Sequence, residues 1–131
     1  EYLISWSTPD NVLNLAGQID LMIKSGNDIV LAEHNTNKKI DLKGGFNTVT
    51  RGTTKMQYPL NTIEDCNYGH YEMQLSTYAF MLQQRHPEYV IKDLILNNYD
   101  HNMKNTLYHC NYRKDEVKRM LADYYKKKKQ Q

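Results

Sequence analysis

The chain is 131 residues long, which is enough for one domain with a single core and leaves no room for a second. Its formal net charge of +2 excludes a strong overall field toward nucleic acid or an anionic membrane, so such binding would depend on local lysine clusters. The sequence has no long apolar run and no zinc-site cysteine spacing, which predicts a soluble protein in a reducing, intracellular setting.

The first predicted elements are two strands that form a hairpin. Apolar and polar residues alternate from Leu13 to Lys24, which is the period of a strand. Residues 25–28 are typical of a turn, and the apolar run from Ile29 to Glu33 predicts a second strand deep in the sheet. The polar, glycine-containing stretch from Lys38 to Thr54 predicts a long loop of a kind that often has a function.

The second half of the chain is predicted to contain both helices. Its segments in order are a helix at 71–84, strands at 90–96 and 106–112 joined by a loop at 97–105, a helix at 115–126, and a basic tail at 126–131. His86-Pro87 ends the first helix, because the residue before a proline is pushed out of helical geometry. The order of elements predicts an α+β fold over residues 1–131, an α/β sandwich with a mixed central sheet flanked by helices.

Two acidic residues occupy places where a charge is costly. Asp20 interrupts an apolar strand, and Glu33 ends the most hydrophobic strand of the chain. A buried charge is strongly unfavourable unless it is paired or coordinates a cation. Across a short hairpin the two carboxylates can approach each other, and a hard divalent cation such as Mg²⁺ would relieve their repulsion. The alternative is that both are ordinary solvated charges at strand ends.

Several motifs around these acids occur in a specific order. They are Gly17-Gln18-Ile19-Asp20, Glu33, Thr36-Asn37-Lys38 and Gln74-Leu75-Ser76-Thr77-Tyr78. This order resembles the PD-(D/E)xK nuclease superfamily, in its RecB-like and phage exonuclease branch, which pairs a Gly-x-x-Asp strand with an (Asp/Glu)-x-Lys strand, often continued by Thr-x-Lys, before a Gln-x-x-x-Tyr helix. The resemblance spans residues 15–82. It implies a restriction-endonuclease-like core and Mg²⁺-dependent, exonuclease-like hydrolysis of phosphodiester bonds in DNA.

The resemblance also implies a role for each matching residue. Asp20 and Glu33 would be catalytic and would bind Mg²⁺ or Mn²⁺ together with the backbone carbonyl of His34, whose side chain faces away. Gln74 would lie beside the site, on one helical face with Tyr78, for which core packing is the alternative role. Nucleic-acid contacts would come from Thr36, Lys38, Lys39 and Tyr78. A DNA partner would place the protein in the cytoplasm or in a nuclear or viral replication compartment.

One departure from the family concerns its lysine. The position two residues after Glu33 is Asn35, and in a strand these two residues share a face. Lysine there supplies a cation that stabilises the hydroxide nucleophile or the transition state, whereas asparagine supplies only a dipole. Losing such a stabiliser commonly costs on the order of a hundredfold or more in rate. Lys38 or Lys39 would have to reach back to replace it.

A second departure is the helix that usually opens the family core, because this sequence enters at a predicted strand. That helix normally covers one face of the sheet, so we expect a homo-oligomer or a larger parent protein. Three functions stay open: an active or attenuated nuclease, a non-catalytic nucleic-acid-binding or assembly module of the same fold, and an unrelated α+β interaction domain.

Overall fold

The computed structural model describes residues 2–36 and 39–131. Its elements in chain order are β1 Tyr2–Ser7, β2 Asn14–Ile19, β3 Leu21–Ser25, β4 Asp28–Asn35, β5 Phe46–Asn47, β6 Gly52–Thr53, α1 Asn67–Arg85, β7 Val90–Tyr99, β8 Asn105–Cys110 and α2 Lys114–Lys129. This mixture of a sheet and helices confirms the predicted α+β fold. Within the described residues, neither helix combines the length and the apolar character needed to cross a membrane.

A mixed sheet in the order β3-β4-β7-β8 is the centre of the fold. β4 and β7 are parallel, whereas β3 and β8 are each antiparallel to their neighbour. Since parallel neighbours need a crossover, α1 connects β4 to β7 and packs on one face of the sheet. Its buried residues Leu75, Ala79 and Leu82 join Leu31 and Leu96 of the sheet in one apolar cluster.

The two faces of this sheet are covered differently. α2 packs against the far side of α1, where Val117 and Leu121 meet Phe80 in a second apolar cluster. On the sheet, Leu21 and Ile23 are 43% and 52% exposed. The expectation that a second copy or a larger parent protein covers one sheet face stays a prediction.

The predicted continuous strand from Leu13 to Lys24 is wrong at Asp20, where the chain changes partner. β2 pairs with β1, and after a break at Asp20 the chain resumes as β3 and pairs with β4. The alternation of apolar and polar residues continues through the break, so periodicity could not reveal it. The expected β3–β4 hairpin and its turn are confirmed.

Several predicted boundaries are also wrong. α1 begins at Asn67 rather than at 71, β7 continues to Tyr99 where a loop was expected, and α2 continues through Lys129 instead of giving way to a separate tail at 126. The predicted long loop after β4 contains the short β5–β6 hairpin. Tertiary pairing explains the β7 error, because Asn97 and Asn98 pair with both β4 and β8.

Candidate functional site

Asp20 lies where β2 passes into β3, and its carboxylate is held by the neighbouring strand. The backbone N–H of His34 donates to Asp20 Oδ2 at 2.8 Å. Continuing the register from the Leu21–Ala32 pair would place Asp20 opposite Glu33 and Ile19 opposite His34. The Asp20 side chain therefore accepts the N–H that a regular ladder would give to the backbone of Ile19.

Glu33 lies on the face of β4 that packs against α1. It is only 8% exposed, and it alternates with the buried Leu31 and Ile29 along that face. Its Oε1 atom is buried without a hydrogen-bond partner in the part of the chain that the structure describes. Burial raises the pKa of Glu33 to about 8, and the adjacent Asp20 carboxylate adds to the rise through a hydrogen bond and its charge. The two predicted acids are thus neighbours across the β3–β4 pair.

Asn35 follows Glu33 on the same face and lies at the end of β4. In the parallel ladder it pairs with Asn98 of β7, which is 5% exposed. Sequence reasoning missed Asn98, because two consecutive asparagines are typical of a turn. These two positions present uncharged amides where the resemblance expects a lysine.

The Gln74–Tyr78 pair of α1 packs beside the strand that leads to Asp20. Gln74 Nε2 donates to the Tyr78 hydroxyl at 2.9 Å. A Cβ atom added to Gly17 would lie 2.3 Å from Tyr78 Cε1, so the tyrosine ring lies directly against the glycine backbone. Gly17 and Tyr78 are therefore complementary in shape, which links two motifs that lie far apart in the sequence.

The remaining predicted residues are distributed around this centre. Thr36 is exposed just after β4, and Lys39 is exposed with its Nζ atom 3.6 Å from Asp41 Oδ1. The imidazole of His34 is on the other face of the sheet, as expected, with its Nδ1 atom 3.2 Å from Asn97 Nδ2. Lys38 lies outside the described residues.

α1 begins after Cys66, which is the N-cap and whose Sγ accepts the Gly69 N–H at 3.4 Å. Glu72 is only 1% exposed and pairs with Arg113 at 2.8 Å. Glu72 therefore faces α2 and the β8–α2 connection, away from a solvated helix end.

The described residues place two carboxyl groups side by side. That of Asp20 accepts a backbone N–H, and that of Glu33 is buried. No group of three or more His, Cys, Asp or Glu side chains that could hold a metal converges among them. Two carboxylates are nevertheless a usual protein contribution to Mg²⁺, which keeps several of its waters. The buried, unpartnered Oε1 of Glu33 is what such a cation would need, so the residues fit a single hard divalent ion.

Comparisons of the chain with protein-family models, with curated proteins and with solved structures find no match. The resemblance to the PD-(D/E)xK superfamily therefore stays a prediction based on the ordered motifs.

Proposed function

We propose that this protein binds a divalent cation through Asp20 and Glu33 and hydrolyses phosphodiester bonds in DNA, with activity attenuated by Asn35. The observation that carries the proposal is the Glu33 carboxyl group, buried beside the Asp20 carboxylate with Oε1 unpartnered. A buried carboxyl oxygen without a hydrogen-bond partner costs free energy, so its retention indicates a task. We also propose that the sheet and α1 form a restriction-endonuclease-like core.

The ligands would be the carboxylates of Asp20 and Glu33 and the carbonyl of His34. In a strand the N–H and C=O of one residue point toward the same edge, and the His34 N–H already points at Asp20. We therefore expect its carbonyl at that edge too. Mg²⁺ or Mn²⁺ held there would acidify a water and neutralise charge growing on the scissile phosphate.

Gln74 is the residue through which α1 would contact a bound DNA strand. It is exposed, and its Nε2 atom is oriented by the Tyr78 hydroxyl. Tyr78 is fixed in turn by Gly17, three residues before Asp20. Gln74 and Tyr78 would hold the phosphate backbone or orient the acids. The amides of Asn35 and Asn98 would supply dipoles but no positive charge.

A non-catalytic nucleic-acid-binding module is the second candidate, and the uncharged Asn35–Asn98 pair is what favours it. Metal binding is expected in both cases. Cleavage separates the two candidates.

Titration calorimetry with Mn²⁺ tests the metal centre. We expect a binding heat for the wild type that is lost in Asp20→Asn and Glu33→Gln. Asp28→Asn is the matched control, because Asp28 is an exposed acid at the opposite end of the same strand. If the wild type gives no heat, or if all three variants bind equally, the proposed centre does not exist.

Asn35→Lys tests catalysis. With Mg²⁺ and linear DNA, we expect feeble cleavage by the wild type and a gain on the order of a hundredfold in the variant, since the new cation stabilises charge developing at the metal. Asn27→Lys, in the turn at the other end of β4, adds the same charge away from the site. An inactive Asn35→Lys variant that still binds Mn²⁺ would favour the non-catalytic module.

A further inference from the structure

The connection between β4 and α1 carries a small hairpin that the metal centre does not use. β5 and β6 pair through Phe46–Thr53 and Asn47–Gly52. Phe46 is 70% exposed and Val49 at the tip is 90% exposed. A small hairpin that presents an aromatic ring to solvent gains nothing for its own core, so the ring is available to a ligand.

The tip of the hairpin is a turn stabilised by hydrogen bonds. Asn47 Oδ1 accepts the N–H groups of Val49 at 2.9 Å and Thr50 at 3.2 Å. Arg51 completes the turn with φ of 57°, a left-handed conformation that is uncommon for a non-glycine residue. The exposed side chains are therefore presented on an ordered backbone.

The base of the hairpin is fixed to the segment that leads into α1. Thr54 donates to the Gly45 carbonyl from both its N–H and its hydroxyl, each at 2.7 Å. Lys55 forms an ion pair with Glu64, whose other oxygen accepts the Gly44 N–H at 3.1 Å. Glu64 lies just before the Cys66 N-cap, so the hairpin is attached at the start of the helix that carries Gln74.

The charge around the hairpin is positive. Lys39 and Lys55 are paired with acids, but Lys43 and Arg51 have no ion-pair partner among the described residues. An exposed aromatic ring beside uncompensated cations is the combination with which proteins bind single-stranded nucleic acid, by stacking on bases and by contacting phosphates. A duplex buries its base faces and cannot offer them to the ring.

The base of the hairpin is fixed just before α1. The Gly44 N–H donates to Glu64, and the Thr54 carbonyl accepts the Asp65 N–H. Gln74 follows Asn67 by seven residues, which is about 10 Å along a helix. A DNA strand held at the hairpin would therefore have to extend along α1 to reach the proposed centre.

We propose that the β5–β6 hairpin binds single-stranded DNA, with Phe46 stacked on a base and Lys43 and Arg51 against phosphates. The proposal rests on the proposed function for its choice of DNA as ligand. It makes the substrate a single strand, or a duplex end that has opened, rather than an intact duplex.

Binding of a labelled oligothymidylate, measured by fluorescence anisotropy in EDTA, tests the proposal. We expect Phe46→Ala to weaken binding roughly tenfold, because one base loses its stacking partner. Phe46→Trp should bind like the wild type, whereas Phe46→Leu, which keeps an apolar side chain but no ring face, should behave like Phe46→Ala. Val90→Ala, a half-exposed apolar residue at the far end of the sheet, is the control.

Direct stacking should change the tryptophan fluorescence of a Phe46→Trp variant. Oligothymidylate should quench the added tryptophan emission of Phe46→Trp and should leave the emission of Trp6 in the wild type unchanged. Arg51→Ala should weaken binding and reduce its salt dependence, whereas Lys92→Ala on β7 should do neither. Full binding by Phe46→Leu, or equal binding of intact duplex and single strand, would overturn the proposal.

EDTA makes this test independent of the metal centre. If the wild type does not bind Mn²⁺, the proposed function is wrong, but the oligothymidylate result still tests the hairpin. Conversely, a working metal centre with hairpin variants that bind normally would remove only the hairpin proposal.

Discussion

At the scale of single residues, Glu33 has the least favourable environment of the proposed site. Its carboxyl group is buried among apolar side chains and adjoins a second carboxylate, and both features disfavour its ionised form. The pKa of Glu33 rises from its ordinary value of 4.5 to about 8 for these reasons. The metal-free protein therefore holds a proton at neutral pH that its unfolded chain has released.

This difference predicts how stability depends on pH. Between about pH 4.5 and pH 8 the folded state keeps the Glu33 proton and the unfolded state does not, so the free energy of unfolding falls as pH rises through this window. Below pH 4.5 both states are protonated and this contribution is at its greatest. We expect Glu33→Gln to be more stable than the wild type at pH 8 by on the order of a few kcal/mol, in EDTA.

Thermal unfolding from pH 4 to pH 9 measures the effect. The two curves should converge at low pH and separate as pH rises, while Glu88→Gln at an exposed position should follow the wild type. Mn²⁺ should restore wild-type stability at pH 8 and leave Glu33→Gln unchanged, because a bound cation favours the ionised carboxylate. Parallel curves at every pH would show that Glu33 is not buried as described.

The two acids could be predicted from the sequence because each interrupts an apolar run. Asn98 could not, because its position depends on the parallel pairing of β7 with β4 and not on its neighbours in the chain. The same holds for Phe46, since a single aromatic residue in a polar loop does not indicate whether its ring is buried. Local pattern identifies a residue out of place in its own element, and only tertiary pairing identifies its neighbours.

At the scale of elements, the contact of Gly17 with Tyr78 positions α1 against β2. A methyl group at residue 17 would overlap the tyrosine ring, with Cβ 2.3 Å from Cε1. We expect Gly17→Ala to lower the free energy of unfolding by about 1–2 kcal/mol, because overpacking outweighs the gain from a stiffer unfolded chain. Urea denaturation measures this change.

Gly45→Ala is the matched control, because a Cβ there meets nothing within 4 Å. It should be neutral or slightly stabilising. In the background of Tyr78→Ala, which removes the ring, Gly17→Ala should also cost nothing. If Gly17→Ala were equally costly in both backgrounds, the contact would not be what requires glycine at residue 17.

Element boundaries were predicted less well than element types, for a physical reason. The helix was predicted from the spacing of Leu75, Ala79 and Leu82, but its first turn contains Gly69, which lowers helix propensity. A Cβ on Gly69 would lie 2.2 Å from the Glu64 carbonyl oxygen, so close packing with the preceding loop requires glycine inside the helix. Helix propensity reflects the cost of Gly69 within the helix, but it contains no information about the contact that requires a glycine there.

At the scale of the whole molecule, one buried carboxylate joins α1 to the segment between β8 and α2. Glu72 accepts the Asn111 N–H at 2.9 Å and the Arg113 Nε–H at 2.8 Å. Ser76, one turn further along α1, accepts the Arg113 N–H at 2.9 Å. These bonds fix where α2 begins, and α2 then buries Val117 against α1.

Removing the cation should therefore loosen the packing of α2. Arg113→Met leaves the Glu72 carboxylate buried without its cation, although it still accepts the Asn111 N–H, and we expect the free energy of unfolding to fall by roughly 2–4 kcal/mol. Arg119→Met is the control, because Arg119 is exposed on the same helix and donates to the Thr62 hydroxyl at 3.4 Å, with no ion-pair partner in the described part of the chain. Urea denaturation followed by circular dichroism compares the two.

The double variant Glu72→Gln with Arg113→Met separates the cost of a stranded charge from the value of the pair. A buried ion pair loses most when one partner is removed, and less when the remaining partner is also neutral. The double variant should therefore be more stable than Arg113→Met alone, since the introduced side-chain amide keeps an acceptor for the Asn111 N–H. A double variant that is less stable than either single variant would mean that the pair itself, and not the avoidance of a buried charge, holds α2 against α1.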